Sequence, residues 1–159
     1  MATAVGLAAC APRPAPEPTP TPLFASEAEA FKAAEQVFRD YIEAVNAEES
    51  DPASDPQRFL VGLALEEDIS SVRDLEAAGQ RIVGTTVVSK FDARSYASKS
   101  TTVSSFACLD VSATRVMDVG GNDVTSKDRP AVVAIKVSMT LVSKDFKIAR
   151  MDASSEPCS

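Results

Sequence analysis

The chain has 159 residues and a formal net charge of −7, with no histidine, no tryptophan and three cysteines. That length holds one domain of ordinary size, and its acidic surface argues against nucleic-acid binding and against direct contact with anionic lipid, so any membrane contact would depend on an anchor. The missing histidine excludes Ser-His-Asp and Cys-His triads and histidine zinc sites, and no nucleotide fingerprint, phosphate loop or metal-ligand spacing is present, so no cofactor or metal is expected.

Leu7-Ala8-Ala9-Cys10 is a small-residue tripeptide ending in cysteine. It resembles the lipobox of bacterial lipoproteins, where the cysteine becomes the mature N-terminus and carries a diacylglycerol. The resemblance implies a lipoprotein signal segment over residues 1–10, with Cys10 as the lipidation site. Met1 to Ala9 has no Lys or Arg and little apolar length for a signal peptide. Either the true start lies upstream, which is the expectation, or Cys10 is a chance cysteine in an alanine-rich leader. Residues 11–23 form a linker, with proline at every second position from Pro12 to Pro22. Alternating prolines favour polyproline II at about 3.1 Å per residue, a spacer of roughly 35 Å. A ligand for a proline-recognition domain is the alternative to this stand-off role.

The folded domain is expected over residues 24–159. Ser26-Glu27-Ala28-Glu29 reads as a capping box, and Phe31, Ala34, Phe38, Tyr41, Ile42 and Val45 mark the buried face of a helix ending near Asn46 to Ala47. The polar loop Glu48 to Pro56 follows, its Glu48-Glu49-Ser50-Asp51 run reading as a solvated cap to that helix. Pro56 opens a short helix, and a second begins at about Glu66 and stops at Gly79. The period then switches to two. Ile82 to Phe91 reads as one strand, and Thr101 to Asp118 as another with Leu109, Val111 and Ala113 on one face. Gly120 to Asp123 is a turn. Val133 to Leu141 alternates most clearly, and Ser143-Lys144-Asp145 turns into a last strand, Phe146 to Met151. A long helix, short helices and then about four strands in a meander predict an α+β domain, its helices packed on one face of a curved antiparallel sheet.

Assigning Cys10 to lipid leaves Cys108 and Cys158 as a pair. In an exported protein they are expected to form a disulfide, closing a loop of about 50 residues and stabilising the fold by roughly 4 kcal/mol in the chain-entropy model. Two unpaired thiols in a cytosolic protein are the alternative.

The run Phe38 to Asn46 resembles the opening helix of small NTF2-like (cystatin-like, cone-shaped) domains, and Cys108 to Asp118 resembles a stretch of actinobacterial NTF2-like lipoproteins. Such proteins join a lipobox, a proline-rich linker and one such domain. The resemblance implies a pocket between helix and concave sheet, used by some relatives for isomerase, dehydratase or hydrolase chemistry and by others for docking. It leads to the expectation of a lipid-anchored protein on the outer face of the cytoplasmic membrane, whose domain binds an envelope protein or a small hydrophobic ligand. The alternative is a small pocket enzyme using Asp110 with Tyr41 or an arginine. Asp110 would need burial and a raised pKa to act as a base, and it falls on the strand face of Cys108, opposite Leu109 and Val111. Tyr41 lies on the apolar helix face and could bring its hydroxyl to the pocket mouth.

Overall fold

A computed structural model describes residues 23–158; the Cys10 motif and the proline run lie outside the described residues. Two α-helices, α1 (Glu27–Ala47) and α2 (Gly62–Ala77), pack on a curved antiparallel sheet, so the domain is α+β as expected. Ser26 caps α1, its hydroxyl accepting from the Glu29 amide at 3.2 Å. The Glu29 carboxylate reaches one residue further back than a capping box requires, accepting from the Ala25 amide at 2.8 Å. Ala30, Ala34, Phe38, Tyr41 and Ile42 are buried at helical spacing. The small side chains of Ala30 and Ala34 bring the α1 backbone close to the sheet. The Phe38 ring stands 5.4 Å from that of Phe91 and 6.3 Å from that of Tyr41. Phe31 and Val45 are only partly buried, at the margin of this core.

Pro56–Phe59 forms a turn of 3-10 helix, where the Asp55 carboxylate accepts from the Arg58 amide at 3.2 Å. α2 starts at Gly62, four residues before the expected Glu66. Its start is set from outside: the Val61 amide donates to the Ile148 carbonyl at 2.9 Å, and Leu60 makes a parallel bridge to Ile148. A helix start fixed by tertiary pairing leaves no capping signature in the local sequence. Gly79 ends α2 with a left-handed φ of 63°, as expected.

Six strands follow: β1 (Gln80–Val83), β2 (Val87–Ala97), β3 (Thr102–Asp110), β4 (Arg115–Asp118), β5 (Val132–Val142) and β6 (Asp145–Ala153). The main sheet has the order β2-β3-β5-β6, and β1 pairs with β4 in a second, two-stranded sheet. Each of the first two expected strands is therefore cut in two, at residues 84–86 and 111–114. Pairing resumes across the cut with a one-residue shift, Val87 opposite Asp110 and Val83 opposite Arg115, so a long ribbon is bent. Gly84, at φ 95°, passes so close to Ala113 that an added Cβ would lie 2.2 Å from its carbonyl oxygen. On the opposite strand the Asp110 carboxylate accepts from the Ser112 amide at 2.9 Å, and the Thr114 amide donates to the Val111 carbonyl at 3.0 Å. Both local bonds compete with ladder pairing. Ala113 is consequently exposed rather than aligned with Leu109 on an inner face.

Two side chains hold this bend. Asn46, at the end of α1, exchanges two 2.8 Å bonds with the Thr86 backbone, donating to its carbonyl and accepting from its amide. From the other side the Arg129 guanidinium donates to the Val111 and Thr114 carbonyls at 3.0 and 2.7 Å, and to the Thr114 hydroxyl.

Ile135, Val137, Met139 and Leu141 of β5 join the helix-side core, with Val103 and Ala107 of β3 and Phe146 and Ile148 of β6. Phe106 and Cys108 point to the other face by strand alternation, yet both are buried. The tail beyond β6 covers them. Its Ser154 amide donates to the Ala134 carbonyl at 2.8 Å, the chain crosses β5, and Cys158 forms a disulfide with Cys108. Arg94 of β2 lies 4.7 Å over the Phe106 ring and grips the Glu156 carboxylate with both arms of its guanidinium. The pairing expected from the cysteine count is thus present. No helix among the described residues is long and apolar enough to cross a membrane.

Candidate functional site at the bent ribbon

The bend opens a cavity of about 400 Å³ between the C-terminal end of α1, α2 and β1, within the size range of small-ligand sites. Its apolar wall is Val45 of α1, Val72 and Leu75 of α2 and Ile82 of β1. Asn46, Gly84, Thr86 and Thr114 contribute the side nearest the bend, so the residues that bend the ribbon also shape the cavity. Two more open depressions, beside Asp51 and beside Pro130, have no buried polar side chain in their lining.

Tyr41 lines this cavity and is only 7% exposed. Its ring is fixed against Phe38 and Phe59, with centroids 6.3 and 6.5 Å away. No protein group hydrogen-bonds its hydroxyl, and no unpartnered polar side-chain atom among the described residues is sealed from solvent. The Tyr41 oxygen therefore faces the open space of the cavity. Burial first, and then the charges of Asp68 and Glu48, push its pKa from 10.0 up to about 12, so the phenol is neutral throughout the physiological range.

Charge is distributed unevenly around the cavity. Glu48, Glu49, Asp68 and Glu76 line it against the single guanidinium of Arg81. Asp68 is half-buried and accepts a 3.0 Å bond from Gln57 Nε2. Partial burial, with Asp68 and Asp55 nearby, raises the pKa of Glu48 above the usual carboxylate value. The run Glu48-Glu49, which reads as a solvated helix cap, thus supplies part of the cavity rim.

The two site residues picked from the sequence are not brought together. Tyr41 is in the cavity, whereas Asp110 is absent from its lining and follows Cys108 by two residues on the tail-covered face. Hydrogen bonds from the Ser112 side chain and backbone hold the Asp110 carboxyl below its ordinary pKa. A base needs the opposite shift to work near neutral pH. Asp110 is a turn-forming residue. Asn46, Asp68, Thr114 and Arg129 are the residues that sequence reasoning missed; of these only Asn46 carried a signal, as the polar end of an otherwise apolar helix face.

The Tyr41 shift has a direct consequence for stability. A folded pKa above the unfolded value means that folding favours the neutral phenol. The contribution is complete below pH 10.0 and is lost as pH rises through about 12. In a Tyr96→Phe background, where Tyr41 is the remaining tyrosine, phenolate absorbance and unfolding free energy are expected to change together. The loss should reach roughly 2–3 kcal/mol; a phenol that ionises near pH 10 with no loss of stability would contradict it.

No family model and no curated protein matches the chain. Among solved structures it is similar to the intermembrane space region of the chloroplast protein ARC6, with a TM-score of 0.55 at 15% sequence identity, covering 77% of this chain and 96% of that one. At this identity the likeness concerns the fold.

Proposed function

We propose that this chain is a lipoprotein held through Cys10 on the outer face of a cytoplasmic membrane, and that its NTF2-like domain is a binding module of the actinobacterial kind whose cavity takes a small, partly apolar ligand. The observation that carries the binding role is the Tyr41 hydroxyl, which lines an apolar-walled cavity, has no protein group to bond and is reached by solvent although the residue is only 7% exposed. Such a group meets its hydrogen-bonding requirement through water or a ligand. The Cys108–Cys158 disulfide supports an extracytoplasmic location, since such bonds persist in oxidising compartments. Catalysis by Asp110 with Tyr41 is less well supported, because the two line no common cavity.

Two measurements test the halves of this reading. The intact mass of the native protein should begin at a diacylated Cys10, and a retained Met1 would end the anchor proposal. Native mass spectrometry of the full chain, after incubation with an organic extract of the source cell envelope, should show a ligand adduct that Leu75→Trp abolishes by filling the cavity. An adduct that persists in a folded Leu75→Trp variant would place the ligand elsewhere.

A further inference from the structure

We infer that the cavity at the bent ribbon recognises an amphipathic cation, a primary ammonium group carrying an alkyl chain. The inference rests on the binding-module reading above and specifies the ligand class of that same site. Two independent features converge on it. The wall of Val45, Val72, Leu75 and Ile82 offers an alkyl chain a surface to leave water for. The polar end is the Tyr41 oxygen together with the carboxylate of Asp68, which lines the same cavity and lies near enough to act on the Tyr41 pKa.

An ammonium head has three N–H donors and no acceptor. Tyr41 Oη and the Asp68 carboxylate are both acceptors lining the cavity, the latter able to make a charge-assisted bond, and the remaining N–H groups stay with water. A carboxylate or phosphate head would instead meet Glu48, Glu49, Asp68 and Glu76 with Arg81 as its single cationic neighbour in the lining. A neutral alcohol could bond to Tyr41 but would gain nothing from the negative rim. The rim thus separates three head groups that the apolar wall would accept equally, discriminating both by attraction and by repulsion.

The test uses the full chain, isothermal titration and three probes of one chain length: n-octylammonium, n-octanol and n-octanoate. The cation is expected to bind at least about tenfold more tightly than either competitor, with an affinity that falls as salt is added. Asp68→Asn, which keeps an acceptor for Gln57, should weaken the cation by about tenfold and leave n-octanol unchanged. Tyr41→Phe, which keeps the ring in the core, should weaken it several-fold, and thermal unfolding checks that both variants fold. If n-octanol or n-octanoate binds as tightly as the cation, or a folded Asp68→Asn leaves its affinity intact, the ligand class is wrong while the binding module stands. If none of the three probes binds, the ligand class and the cavity as a binding site fall together.

Discussion

Replacing both Cys108 and Cys158 with alanine is expected to lower the unfolding free energy by about 4 kcal/mol, the chain-entropy value for a loop of this length. The separation in sequence is 50 residues, and β4, β5 and β6 all lie within the closed loop. The folded state loses something as well. Without the bond, the tail is held over Phe106 by the Ser154 amide and by the Arg94–Glu156 pair, whose side chains are each 40% exposed. Exposed ion pairs contribute little, typically under about 1 kcal/mol, so the tail should detach and uncover Phe106 before global unfolding. Denaturant titrations of the oxidised chain and the double variant measure the first effect, and hydrogen exchange at the β3 amides measures the second. A difference below about 1 kcal/mol, with β3 equally protected, would mean that the tail is held by its noncovalent contacts alone.

Gly84→Ala should cost at least about 3 kcal/mol and damage the cavity more than its size suggests. Two causes add. A β-carbon would meet the Ala113 carbonyl oxygen at 2.2 Å, a contact with backbone that no rotamer relieves. The φ of 95° is also one that residues with a side chain adopt only under strain of about 1–3 kcal/mol. The ribbon must straighten or separate at residues 84–86, which moves Thr86 away from Asn46 and Thr114 out of the cavity lining. Thermal unfolding gives the loss of stability, and loss of ligand binding at temperatures where the variant remains folded gives the loss of shape. Gly121 is the internal control, since it also has a positive φ, of 79°, but an added Cβ there meets nothing within 4 Å. Gly121→Ala should therefore show the backbone penalty without the steric one.

What could be read from the residues alone was whatever is decided locally. The Ser26 cap and the 3.6-residue spacing of Ala34, Phe38 and Tyr41 define α1 without reference to the rest of the chain. The alternation of Val133 to Leu141 and the turn at Ser143-Lys144 define the β5–β6 hairpin in the same way. The disulfide followed from counting. The bend did not, because Gly84 and Ala113 lie far apart in sequence and meet only once the ribbon has paired. Runs rich in valine and threonine on either side of a glycine read as one strand. The cavity inherits this difficulty: Asp68 and Glu48 come from different elements and acquire a common purpose only through α2, whose start depends on Ile148 rather than on a cap. Asp110 misled for a related reason. A carboxylate between two apolar residues looks buried in a strand, but its strand ends there, and it bonds to Ser112.

The length of α1 also sets a direction. Phe24 stacks on Phe146, centroids 5.3 Å apart, at the N-terminal end of the helix, while Tyr41, Val45 and Asn46 stand at the opposite end. From Phe24 to Asn46 the chain climbs about 30 Å at the helical rise. The ring stack fixes the entry of the described chain at one pole of the domain, and the cavity is lined from the other end of the helix. Under the anchor proposed above, tether and cavity would therefore meet the domain at opposite ends of α1, and an occupant could come and go without disturbing the Phe24–Phe146 stack.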